Sequence, residues 1–191
     1  MVIAIISEQR SGSCNLYLWM NQSIIGYKIL WEFISSDPSF QNGVCYDKEW
    51  FDETKNYIVH EKYSETNHDN VTGLVESADI TVTLYREDTK SQIESYIMAS
   101  ITGKWYGGYA ARSEIIDKID TRYSKEKEYV EKLKRDFKNF REEYNLKSFT
   151  YEDLYYRNKI DEFKKYLGLK IDTPFPYGNK YRVDNKVERL I

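Results

Sequence analysis

Val2-Ile3-Ala4-Ile5-Ile6, running into Ser7-Glu8-Gln9-Arg10-Ser11-Gly12-Ser13-Cys14-Asn15, is the stretch that decides the fold of this chain. Its first five residues are a continuous apolar run rich in β-branched side chains, as in a strand buried on both faces of a parallel sheet. A polar, small-residue segment containing Gly12 follows. Then Leu16, Leu18, Trp19, Ile24, Ile25, Ile29, Leu30 and Phe33 recur at near-helical spacing. The order is therefore strand, loop, helix.

Further along, Asp37-Pro38 and Asn42-Gly43 break the helical pattern. Tyr57-Ile58-Val59-His60 reads as a second strand, followed by a polar loop from Ser64 to Asn70. Ile80-Thr81-Val82-Thr83-Leu84-Tyr85 is the clearest later strand. Asp88 then has the position of an N-cap, and Ile93, Ile97, Met98 and Ile101 form the apolar side of a helix ending before Gly103. Residues 123–144 are strongly charged, with Tyr129, Val130, Leu133, Phe137, Phe140 and Tyr144 at steps of three and four, which predicts a long amphipathic helix. Phe149-Thr150-Tyr151 predicts another short strand and residues 157–167 another helix, before Pro174 and Pro176 punctuate the tail. Strands separated by helices imply a parallel sheet with helices on both faces. Without repeat or linker, residues 1–191 read as one domain.

Composition narrows the functions open to such a domain. The formal net charge is only −3, from 28 basic and 31 acidic side chains, which gives no electrostatic footprint for nucleic acid. A bound anion must be held by a local constellation. No run approaches a membrane span, and no basic n-region with an apolar h-region opens the sequence. Two cysteines, Cys14 and Cys45, form no disulfide framework and fit a reducing, cytoplasmic compartment. Neither they nor His60 and His68 show metal-ligand spacing, so no metal is expected.

The loop after the first strand carries the chemistry. A helix N-terminus offers unpaired N–H groups and a positive dipole end. Gly12 permits close backbone approach, Ser11 and Ser13 add hydroxyls, and Arg10 adds a cationic fork suited to phosphate or sulfate oxygens. This is where phosphate-binding loops sit. The lysine-bearing spacing of nucleotide kinases and ATPases is absent.

Arg10-Ser11-Gly12-Ser13 resembles the loop with which sulfotransferases grip the 5'-phosphosulfate of 3'-phosphoadenosine 5'-phosphosulfate (PAPS); Cys14 and Asn15 continue it. A second likeness is Leu84-Tyr85-Arg86-Glu87-Asp88 followed by Gln92 and Ser95-Tyr96, where the family has an Arg and a later Ser that hold the 3'-phosphate. The nine residues from Arg86 to Ser95 are one more than is usual there. The stretch through Thr102-Gly103-Lys104-Trp105 further resembles the bacterial trehalose-type branch. Third, Thr150-Tyr151-Glu152-Asp153-Leu154, then Phe163 and Tyr166-Leu167-Gly168-Leu169, is similar to a segment whose tyrosine lies near the adenine; its acidic pair reads as a cap and backbone anchor. The three likenesses run in family order from Val2 to Leu169.

The resemblance implies a three-layer α/β/α fold, with a central parallel sheet of four or five strands, like that of P-loop nucleoside triphosphate hydrolases. It implies in-line transfer of a sulfuryl group from PAPS to a hydroxyl or amine of a small-molecule or sugar acceptor, leaving 3'-phosphoadenosine 5'-phosphate (PAP). Arg10 would stabilise the leaving phosphate. His60 and Lys62, two apart on one strand face, stand near the family's Lys-x-His element in reversed order, with His60 as base and Lys62 assisting the leaving group. Glu8 and Glu61 remain open as bases. Lys180 and Arg182 fall at the place of a late basic loop, and Ser36–Asn42, Ser64–Thr72 and Trp105–Tyr109 would wall the acceptor site. A P-loop kinase-like phosphotransferase and a non-catalytic PAPS-binding module stay as alternatives, as does a homodimer through residues 123–144.

Overall fold

The computed structural model describes residues 1–31, 51–103 and 116–175. In these the strands are β1 (Val2–Ser7), β2 (Tyr27–Trp31), β3 (Asn56–Lys62), β4 (Ile80–Tyr85) and β5 (Lys147–Thr150). The helices are α1 (Ser13–Ser23), α2 (His68–Ser77), α3 (Thr89–Thr102), α4 (Ile116–Glu143), α5 (Tyr151–Tyr155) and α6 (Ile160–Leu167). All five strands are parallel, in the order β2-β3-β1-β4-β5. Among the described residues, the sequence's four or five parallel strands are thus five.

β1 is central and wholly buried because both its faces meet apolar layers. Ile3 and Ile5 pack with Leu16, Trp19 and Met20 of α1, Leu154 of α5, and Phe163 and Leu167 of α6. Val2, Ala4 and Ile6 face the other way, onto Val71 and Leu74 of α2 and Phe137 and Phe140 of α4. Strand alternation thus sorts one continuous apolar run into two cores. Each of these fully buried aliphatic side chains contributes about 1.5–3 kcal/mol by leaving water. α3 joins the second face through α4, where Ile93, Ile97 and Met98 meet Val130. Val130, Phe137 and Phe140 of the amphipathic helix are therefore spent inside the domain.

Three local expectations need correction. The helical run read as far as Phe33 ends at Ser23: Ile24 is extended and Gly26 takes a left-handed φ of 87°. Tyr27–Trp31 is instead the edge strand β2, paired with β3. Clustered apolar residues satisfy helical and alternating templates at once, and Gly26 decides between them. The polar loop Ser64–Asn70 contains a short 3-10 turn at Glu65–Asn67, then the start of α2 at His68. Tyr151 starts α5 rather than ending a strand: Thr150 and Asp153 form a reciprocal capping box, with bonds of 2.9 and 3.2 Å. Asp88 does cap α3, accepting from the Ser91 N–H at 3.0 Å, and Gly103 ends that helix at φ 66°.

Connections fix where a ligand can sit. After β1 the chain crosses to the α1 face, and after β4 to the α3–α4 face. Neighbouring strands whose connections part in this way leave a crevice at their carboxyl ends, the usual ligand position in open α/β sheets. The Glu8 N–H still bonds the Leu84 carbonyl at 3.0 Å, so the two chains separate only beyond that point.

Candidate functional site

The loop that leaves β1 is tightly wound. Arg10 and Gly12 both have positive φ, 62° and 82°, and the buried Ser11 hydroxyl donates to the Glu8 carbonyl at 2.8 Å. The Asn15 and Leu16 N–H groups return to the Gly12 carbonyl at 3.2 and 3.3 Å, opening α1. Ser13 is buried and Cys14 half-buried at that helix start.

α3 holds this loop from one side. Arg10 Nε donates to Ser95 Oγ at 2.9 Å. One turn earlier, Gln92 Nε2 donates to the Gln9 carbonyl at 2.8 Å and to Glu8 Oε2 at 3.0 Å. The first and second sequence likenesses therefore meet in space, across 85 residues. Ser95 is engaged by Arg10 rather than by Arg86.

Arg86 lies on the other side, its guanidinium 4.7 Å from the Tyr151 ring centroid. Its Nε is buried with no hydrogen-bond acceptor among the described residues. A buried guanidinium N–H of this kind fits an anionic ligand. Tyr151 in turn covers the loop: a Cβ at Gly12 would lie 2.4 Å from Tyr151 Cδ2 and 3.1 Å from Tyr155 Cε2. The Tyr155 hydroxyl donates to the Gly12 carbonyl at 2.9 Å. Gly12 is thus required by two rings as well as by its φ. Glu152 accepts from the Glu87 and Asp88 N–H groups at 3.0 and 3.2 Å, anchoring the loop after β4. That matches the reading of the acidic pair as a cap and anchor.

His60 is placed apart. It is fully buried on the α1 face, where Nε2 shares a 2.7 Å hydrogen bond with Ser7 Oγ and the ring stacks on Trp31 at 3.7 Å. Burial, and secondarily the Lys62 charge, holds its pKa well below the ordinary value. Lys62 is half-buried at the end of β3, and the buried Glu61 belongs to the opposite face. His68 opens α2 beside Tyr63, with a 3.4 Å contact from Nδ1 to the hydroxyl. Of the proposed acceptor walls, Ser36–Asn42 and Trp105–Tyr109 lie outside the described residues, as do Lys180 and Arg182.

The described residues do form a small pocket, on the α3–α4 side of the loop. Glu8, Gln9, Arg10, Gln92 and Lys134 supply its polar end. Tyr63, Tyr96, Val130, Leu133 and Phe137 supply the rest. Glu8 is 5% exposed, and burial raises its pKa against the opposing influence of Lys134, 3.8 Å away. Lys134 also donates to Gln92 Oε1 at 3.0 Å and to the Arg86 carbonyl. Sequence reading did not single out Lys134, yet the signal was there. At i+4 from Val130 and three before Phe137, it is a cation set into the apolar stripe of α4. No family model and no curated protein matches the sequence.

Proposed function

We propose that this protein is a PAPS-dependent sulfotransferase that passes a sulfuryl group to an acceptor hydroxyl or amine. The observation that carries the reading is the 2.9 Å bond from Arg10 Nε to Ser95 Oγ. It draws together, at the sheet's switch point, two segments that resemble separate parts of one nucleotide site. PAPS would supply the sulfuryl group and a phosphate leaving group. Arg10, Ser11, Gly12, Ser13, Cys14 and Asn15 would face the 5' end, where the α1 N-terminus favours negative charge. Arg86 and Tyr151 would meet the rest of the nucleotide, with the buried Arg86 Nε as donor. The P-loop-like identity of the fold and a cytoplasmic, reducing location belong to the same proposal.

A second reading is a binding module without turnover. The seating of His60 against Ser7 Oγ and the Trp31 ring favours it, because it takes that candidate base away from the loop.

Thermal shift tests the assignment. PAP without magnesium, at about 100 times Kd, should stabilise the fold by roughly 2.7 kcal/mol, a Tm rise of about 5–11 °C for this size. A response to Mg-ATP alone would transfer the protein to the kinase class. PAP binding without sulfate transfer to any acceptor would leave the binding module.

A further inference from the structure

The residues lining the small cavity beside Arg10 leave two acceptors and one donor unused. Gln9 Oε1 is buried and has no hydrogen-bond partner among the described residues. Every hydrogen bond to the Glu8 carboxylate goes to Oε2, from the Gln92 side chain at 3.0 Å and the Arg86 N–H at 3.3 Å. Its Oε1 keeps its lone pairs among the described residues. Lys134 uses two of its three N–H groups on the Arg86 carbonyl and Gln92 Oε1. Its approach to Glu8 Oε2, at 3.8 Å, is too long for a hydrogen bond, so one N–H is left over.

Size and charge limit what can satisfy all three. The cavity has room for about one water molecule. A metal cation there would face the charges of Lys134 and Arg10, and an anion would meet the Glu8 carboxylate and the Gln9 amide oxygen. Water is neutral, small enough, and both donor and acceptor. A buried water takes about two to four polar partners, and a polar gap of 3.8 Å is one that water commonly bridges.

We infer that one internal water occupies this cavity, donating to Glu8 Oε1 and Gln9 Oε1 and accepting from Lys134 Nζ, and that it ties α4 to the loop presenting Arg10. The water site does not depend on the sulfotransferase reading. Gln9 directly precedes Arg10, and its backbone carbonyl is already held by Gln92 of α3 at 2.8 Å. The water fixes the side chain of the residue whose main chain α3 fixes, so both helices hold the loop from the same side.

The test uses the full chain. A high-resolution crystal structure should show a water peak about 2.6–3.2 Å from all three atoms. In solution, magnetic relaxation dispersion of the solvent should count one long-lived water fewer in Gln9→Met, which removes the acceptor and keeps the length of the side chain. The same variant should quicken hydrogen exchange at residues 10–13 by roughly three- to tenfold, the worth of about one hydrogen bond. If Gln9→Met does not fold, the wild-type crystal structure decides by itself. No peak at that position, a reversed Gln9 amide donating straight to Glu8 Oε1, or the two oxygens in direct contact through a shared proton would each overturn the inference. So would an unchanged water count in Gln9→Met, or unaltered exchange at residues 10–13.

Discussion

Gly12→Ala isolates what the covered loop costs and holds. The new Cβ would lie 2.4 Å from Tyr151 Cδ2, 2.7 Å from Cε2 and 3.1 Å from Tyr155 Cε2. Contacts that short cannot persist, so the buried Tyr151 ring must move, and with it the cation–π contact to Arg86. Overpacking of this kind costs about 1–3 kcal/mol. The φ of 82° adds about 1–2 kcal/mol for any L residue. Together about 2–5 kcal/mol is expected, a Tm loss of roughly 4–20 °C. A double-mutant cycle with Tyr151→Ala separates the two parts. With that ring gone, the backbone strain and the milder 3.1 Å contact with Tyr155 should remain, so Gly12→Ala should cost about 1–3 kcal/mol less in that background. Urea unfolding of the four proteins measures this. Additivity within about 0.5 kcal/mol would refute the claim that Tyr151 seats on Gly12.

Other perturbations probe the remaining parts. Arg10→Ala should reduce turnover by about 10²–10³-fold, as for loss of a charge-stabilising donor, with circular dichroism unchanged; retained turnover removes its role at the leaving group. Ser95→Ala should weaken PAP affinity about five- to tenfold, the worth of roughly one hydrogen bond, and a change confined to acceptor KM would contradict that. His60 is neutral in the fold because burial holds its pKa well below 6.5. The unfolded chain binds a proton there below about pH 6.5 and the folded chain does not, so its contribution is present above that pH and lost as pH falls towards the lowered pKa. The slope is at most about 1.4 kcal/mol per pH unit. Urea titrations of His60→Phe between pH 5 and 8 should lack that portion of the wild-type slope; equal slopes would mean that His60 is protonated in the fold. Phe137→Ala, at a fully buried position between Tyr63 and Phe140, should cost about 3–5 kcal/mol in the same assay, and a loss below 1 kcal/mol would show that α4 does not close the second core.

Segments whose local signals agree were readable from the sequence. β1 and β4 are short β-branched runs, and α3 carries both its Asp88 cap and its Gly103 stop. β2 was not readable, because Ile29 and Leu30 fit a helix until Gly26 is known to turn left-handed. α2 was not, since only Val71 and Leu74 are buried in it and its polar face looks like a loop. The loop residues of the site were visible as a composition. Their partners were not: the Arg10–Ser95 bond depends on how β1 and β4 align in the sheet, Ser7 beside Leu84, and no local pattern contains that register.

Under the sulfotransferase proposal, the choice of base follows from one force acting with opposite sign on two groups. Burial disfavours charge, so it lowers the proton affinity of an imidazole and raises that of a carboxylate. His60 and Glu8 are both almost wholly removed from water, each near the carboxyl end of a central strand. On the α1 face, burial makes His60 a weaker base, stacked under Trp31 and tied to Ser7. On the α4 face, burial makes Glu8 a stronger one, while Lys134 and Gln92 restrain the shift. A proton acceptor must also reach its donor, and of the two only Glu8 lines the pocket beside Arg10. Proton affinity and access therefore favour the carboxylate, although imidazole has the more suitable pKa in water.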